Sequence, residues 1–198
     1  MPPVDERTQL LRLMRLLSYR RGIVTLASGK QSDFFIDCKQ TVLTAKGHAL
    51  VGSLLLKALQ HLPEHEAVAG VVLGGCPLAS AVSLTSHLTG RPLQALYVRK
   101  EAKDHGTKRL IEGGVQRGMR VAMVEDVITT GGSTLRAVEV LQDAGVMVVG
   151  VAVLVDRLEG GTETLRQHGL DVVSLFTRHD FVDELSLAST LTDTLTDG

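Results

Sequence analysis

Between residues 5 and 20, DERTQLLRLMRLLSYR, apolar side chains recur three and four positions apart at Leu10, Leu13, Met14 and Leu17. That spacing predicts an amphipathic first helix, which Gly22 is expected to end. The next stretch, GIVTLASGKQSDFFIDCKQTVL, mixes β-branched and aromatic residues with the turn signals Ser-Gly and Gln-Ser-Asp, and reads as strands joined by a tight turn. Helical spacing returns from Ala45 to about Leu62, where Pro63 closes it. After that the rhythm changes to short apolar runs, VAGVVL, LQALYV, RVAMV, VVGVAVLV and DVVSLF, separated by helical or loop segments. Such runs are the mark of parallel strands covered on both faces. Leu135, Val138 and Leu141, three apart, put a helix over Ser133 to Asp143, directly after the strand at 120–124. The prediction is an α/β fold with a mostly parallel sheet flanked by helices. Residues 65–178 form its core, and 1–64 form a small subsidiary N-terminal lobe of one domain spanning 1–198.

Composition is consistent with one sizeable core: 198 residues, 44% hydrophobic and 22% charged. A net charge of −1 supplies no global attraction for nucleic acid or an anionic membrane, so neither is expected as a partner. The N-terminal MPPVDERTQL is charged, and the longest apolar run, VMVVGVAVLV, is too short to span a bilayer; a cytoplasmic location is expected. Cys38 and Cys76 lack CxxC spacing and read as free thiols. HLPEH has the spacing of a zinc-peptidase motif, but Pro63 interrupts the helix that His61 and His65 would need to share a face.

The chemistry concentrates in VAMVEDVITTGGSTLRAV, residues 121 to 138. An apolar strand runs into two acids, Glu125 and Asp126, and then into Thr129-Thr130-Gly131-Gly132-Ser133 at the start of a helix. Unpaired N–H groups at a helix N-terminus favour a phosphate, and the threonines and Ser133 add hydroxyl donors. Two carboxylates beside a phosphate would repel it unless they meet sugar hydroxyls or a hydrated cation such as Mg²⁺. A phosphorylated sugar satisfies both halves. Neither GxxxxGK[ST] nor GxGxxG occurs, which removes the commonest nucleotide-binding alternatives. A second cluster, Arg99, Lys100, Lys103, Lys108 and Arg109 around His105, outnumbers its acids Glu101 and Asp104. Cations closing over a leaving anion stabilise the transition state more than the ground state.

VAMVEDVITTGGS resembles the donor-binding signature of the type I phosphoribosyltransferases. YVRKEAKDHGTKRLIEG and LASGKQSDFFIDCK resemble the mobile loop and the N-terminal base-side motif of the orotate phosphoribosyltransferase family, and VDRLEGG follows in the same order. The resemblance implies a type I phosphoribosyltransferase-like core with an N-terminal hood, transfer of phosphoribose from 5-phosphoribosyl 1-pyrophosphate to orotate, and Mg²⁺ as cofactor. Arg99, Lys100, Lys103 and His105 would bind the pyrophosphate and serve catalysis, with Lys103 the foremost cation. Glu125 and Asp126 would hold the ribose hydroxyls, and Val127, Ile128, Thr129, Thr130, Gly131, Gly132 and Ser133 would cradle the 5-phosphate. Thr129 and Arg157 would meet orotate, joined by Phe34 or Phe35, although strand alternation sends one of that pair into the core. No protein ligand to the metal is assigned. The resemblance also implies a homodimer whose loop 99–109 reaches the partner's site. Two family lysines are replaced here by Ala27 and Gly74; Lys30 or the N–H groups of Gly74-Gly75 stand as compensating contacts. A phosphoribosyltransferase for another base, or a regulatory module that only senses the donor, remain as alternatives.

Overall fold

The structure is a computed structural model and describes residues 4–25, 31–100 and 109–182. The first helix, α1 (Glu6–Leu17), starts where the Asp5 carboxylate accepts a hydrogen bond from the Thr8 N–H at 3.0 Å. That bond satisfies one of the orphan donors of the first turn. It buries Leu10 and Met14 on one face, each worth about 1.5–3 kcal/mol relative to exposure. The helix ends at Leu17, earlier than expected, because Tyr19 already belongs to a strand and packs on Phe34 and Phe181. Strand β1 (Tyr19–Thr25) pairs antiparallel with β2 (Gln31–Ile36). Gly22 falls at the register shift inside β1, and the Gln-Ser-Asp run expected to turn lies within β2. Cross-strand pairing there prevails over the local turn preference.

A short helix α2 (Lys39–Val42) leads to α3 (Ala45–Leu59), whose N-cap Thr44 accepts from the Gly47 N–H at 3.0 Å. The chain then alternates: β3 (Ala67–Val71), α4 (Gly75–Leu88), β4 (Gln94–Val98), β5 (Ile111–Glu112), β6 (Arg120–Ile128), α5 (Gly132–Asp143), β7 (Met147–Asp156), α6 (Gly161–Gln167) and β8 (Asp171–Thr177). The main sheet has the order β5-β4-β3-β6-β7-β8, parallel throughout except for β5, which runs antiparallel to β4.

Both faces of that sheet are covered. Ala122 and Val124 of β6 face α3 and α4 through Leu50, Leu55, Leu78 and Val82; Val121 and Met123 face α5 and α6 through Val138, Leu141 and Leu165. Leu10, Met14 and Phe34 belong to the first of these cores, so α1 and the β1-β2 hairpin share apolar packing with the sheet. From β3 the chain steps to β4 on one side and then returns to β6 on the other, so the strand order reverses between β3 and β6. A crevice at the carboxyl ends of two such strands is where an open α/β sheet holds its ligand. Among the described residues, no helix is long and apolar enough to cross a membrane.

Candidate active site

The last residues of β6 deliver the acidic pair to that crevice. Glu125 is 7% exposed, and its Oε2 accepts from the Thr134 hydroxyl at 3.2 Å, tying the strand end to the first turn of α5. Burial, followed by the charge of neighbouring Asp126, pushes its carboxyl up to about 8. The Thr134 hydrogen bond and the Lys100 charge oppose that rise. Asp126 is more open, and its Oδ1 accepts the Val127 N–H at 2.9 Å. The two acids are therefore unequal: one braces the helix, and the other presents oxygen to the crevice. Two hard oxygen donors of this kind fit Mg²⁺ held largely by a substrate's own phosphates, with waters between.

The turn from Thr129 to Gly132 leads directly into α5. Gly131, at φ +80°, is the N-cap, and a side chain there would meet the Gly161 carbonyl oxygen at 3.0 Å as well as backbone strain. Ile128 is buried and Val127 packs against the core, so both offer a ligand only backbone. Thr130 and Ser133 are exposed, and Thr129 is half-buried.

Across the crevice, β3 turns into α4 through Gly74, one of the two positions where a family lysine is replaced in this chain. A Cβ on Gly74 would lie 2.3 Å from Asp126 Oδ2. The glycine makes room for that carboxylate. At the end of β4, Arg99 donates to Glu112 Oε1 at 2.9 Å, while Lys100 is exposed. These two, with Val71, Ser133, Arg136, Ala137 and Val140, line a cavity of about 280 Å³. A larger cavity of about 670 Å³ sits at the amino ends of β3, β4 and β6 around His65, Glu66 and Arg91, away from the acidic pair and the phosphate turn. Lys103, His105, Ala27 and Lys30 lie outside the described residues.

The end of β7 supplies the third wall. Asp156 is buried, and it accepts from the Leu158 N–H at 2.7 Å and from the Thr162 hydroxyl at 2.6 Å. It thereby shapes the loop carrying Arg157, a role the sequence reading missed although VDRLEGG had been singled out. Arg157 pairs with Glu159 at 2.7 Å, and its N–H donates to the Ile128 carbonyl at 3.1 Å. Its guanidinium lies 5.7 Å from the Phe34 ring centre, and that of Arg178 lies 5.6 Å away. Phe34 itself has no exposed surface and stacks in an aromatic cluster with Tyr19 and Phe181. It takes the core side of the alternation, leaving half-buried Phe35 on the other. Arg178, bonded to Asp33 at 2.6 Å, also went unread, since nothing in TRHD distinguishes it from a surface arginine.

Comparison with known proteins places the chain among similar sequences and folds. Residues 43–176 fit the family model of the phosphoribosyl transferase domain. An orotate phosphoribosyltransferase from Sorangium cellulosum is 66% identical over 182 residues, covering 91% of this chain and 95% of that relative. One from Thermosynechococcus vestitus is 49% identical over 173 residues, covering 87% and 90%. The crystal structure of Mycobacterium tuberculosis orotate phosphoribosyltransferase in complex with 5-phospho-α-D-ribosyl 1-diphosphate superposes with a TM-score of 0.76 at 38% identity, covering 89% of this chain and 99% of that one.

Proposed function

The chain belongs to the orotate phosphoribosyltransferases, a branch of the phosphoribosyltransferase family, and from that membership we propose how its residues divide the reaction. The chain transfers phosphoribose from 5-phosphoribosyl 1-pyrophosphate to N1 of orotate, giving orotidine 5-phosphate and pyrophosphate, a step of pyrimidine nucleotide synthesis. The observation that carries the division of labour is the convergence of the acidic pair, the helix-start turn and Arg157 at adjacent carboxyl ends of β6 and β7.

The N–H groups and hydroxyls from Val127 to Ser133 take the 5-phosphate, at the positive end of α5. Asp126 accepts from the ribose hydroxyls, and Glu125 does so in its ionised form while holding Thr134. Arg157, with Thr129 and Phe35, receives orotate: a guanidinium grips the base's carboxylate through two parallel hydrogen bonds. Phe34 acts from behind, as an aromatic wall under Arg157. Arg99, Lys100, Lys103 and His105 collect the charge that builds on the departing pyrophosphate. Glu125 and Asp126 would face a hydrated Mg²⁺ brought by the donor, and that ion would neutralise part of the charge. The orotate ring ionises readily, so positioning and electrostatics suffice and no covalent intermediate forms. The site works in a cytoplasmic homodimer whose loop 99–109, rooted at Arg99 and Lys100 beside its own α5, reaches the partner's crevice.

The direct test follows orotate absorbance with donor and Mg²⁺, beside Lys103→Ala. Orotate loss that needs all three components and collapses in the variant supports the scheme. Full turnover in Lys103→Ala would remove that residue from catalysis.

A further inference from the structure

Arg136 stands in the second turn of α5, three residues beyond Ser133. Its Nη1 lies 3.6 Å from where a Cβ on Gly132 would sit, so the guanidinium extends over the phosphate turn and not away along the helix. With Ser133 it lines the same 280 Å³ cavity as Arg99 and Lys100. Three side-chain cations thus surround one small space along the face of α5 that carries Ser133, Arg136, Ala137 and Val140. Among the described residues, Glu112 neutralises Arg99, and no ion pair engages Lys100 or Arg136. Like charges gathered round a cavity repel one another unless an anion joins them.

We propose that Arg136, with Arg99, Lys100 and Ser133, forms a phosphoryl-oxyanion subsite on the α5 side of the phosphate turn, and that Arg136 is a donor-binding residue of this chain. The planar guanidinium suits two oxygens of one phosphoryl group. The anion has two sources in the donor, its 5-phosphate and its pyrophosphate, which share that chemistry. The proposal rests on the phosphoribosyl-transfer reading above.

The experiment compares wild type, Arg136→Gln and Arg136→Lys. Arg136 is exposed, so the variants should fold, and melting temperature checks this. Loss of a charged hydrogen-bond donor should raise the KM for 5-phosphoribosyl 1-pyrophosphate about tenfold or more, with kcat changed about twofold at most and KM for orotate unmoved; lysine should recover part of the loss. Calorimetry with inorganic pyrophosphate and, separately, with ribose 5-phosphate identifies which end of the donor loses affinity. A donor KM and both probe affinities that stay within about twofold of wild type in Arg136→Gln would overturn the subsite. Should wild type bind the probes but fail to turn over orotate, the functional reading falls, while the probe affinities of Arg136→Gln still decide the subsite.

Discussion

Glu125 couples the site's chemistry to its stability. Its folded pKa, about 8, lies above the unfolded-chain value of 4.5. Below pH 4.5 both states hold the proton. Between 4.5 and about 8 the unfolded chain releases it while the folded chain keeps it, so stability falls as pH rises, and it levels off above that range. Glu125→Gln should therefore melt higher than wild type by an increment that grows from about pH 5 to pH 8, on the order of several kcal/mol at about 1.4 kcal/mol per pH unit, which moves the melting temperature by several degrees or more. A constant increment across that range would show that the carboxyl does not titrate there. Ionised Glu125 is the form that accepts from ribose, so wild-type donor KM should decrease as pH climbs toward 8. Gly74 gives a second contrast. Its φ of −63° suits any residue, so Gly74→Ala brings no backbone strain, but the methyl group would displace the Asp126 carboxylate. Melting temperature should hold, while donor affinity falls about tenfold or more by titration calorimetry. The acidic pair was legible as a motif in EDVITTGGS; that one acid is buried and braced by Thr134 was not, because the bond depends on how α5 leaves the turn.

The strand, turn and helix sequences that build the crevice were legible for a physical reason. Strands covered on both faces must be apolar nearly throughout, and a phosphate turn must be small and polar. What escaped were features too short to show a period or fixed by distant pairing: β5 has only two residues, Ile111 and Glu112, and Gln31 to Asp33 became a strand because β1 pairs with them. The loop after β7 lies between these cases. Its Arg157 was read from the motif, but its shape depends on Asp156, whose two acceptor bonds are visible only in the fold. Asp156→Ala leaves the Leu158 N–H and the Thr162 hydroxyl without that partner, at a cost of about 1–3 kcal/mol. Orotate KM should rise more than donor KM, because Arg157 is displaced while the phosphate turn stays in place. Asp156→Asn keeps one acceptor oxygen and should fall between. Equal effects on both KM values would mean that the loop does not act on the base side separately.

The proposed homodimer makes a further prediction. When Lys103→Ala and Asp126→Asn chains, each inactive, are mixed and allowed to exchange subunits, a loop acting across the interface leaves one intact site in each mixed dimer. About a quarter of wild-type activity should return. A loop acting within its own chain returns none. Another consequence follows from α1. Arg7 donates to the Leu175 carbonyl and pairs with Asp180 at 2.7 Å, Arg15 donates to the Asp180 carbonyl, and Phe34 meets Phe181 edge-on at 5.9 Å. Arg7 and Leu175 are 168 positions apart. On the ribosome, then, α1 must wait for β8 before its partners exist, and such distant closures form slowly. The sheet and its phosphate turn can assemble ahead of that closure. The aromatic wall beneath Arg157 includes Phe181, so the base side of the crevice is completed after the phosphate side, and a nascent chain stopped before Arg178 would still lack it.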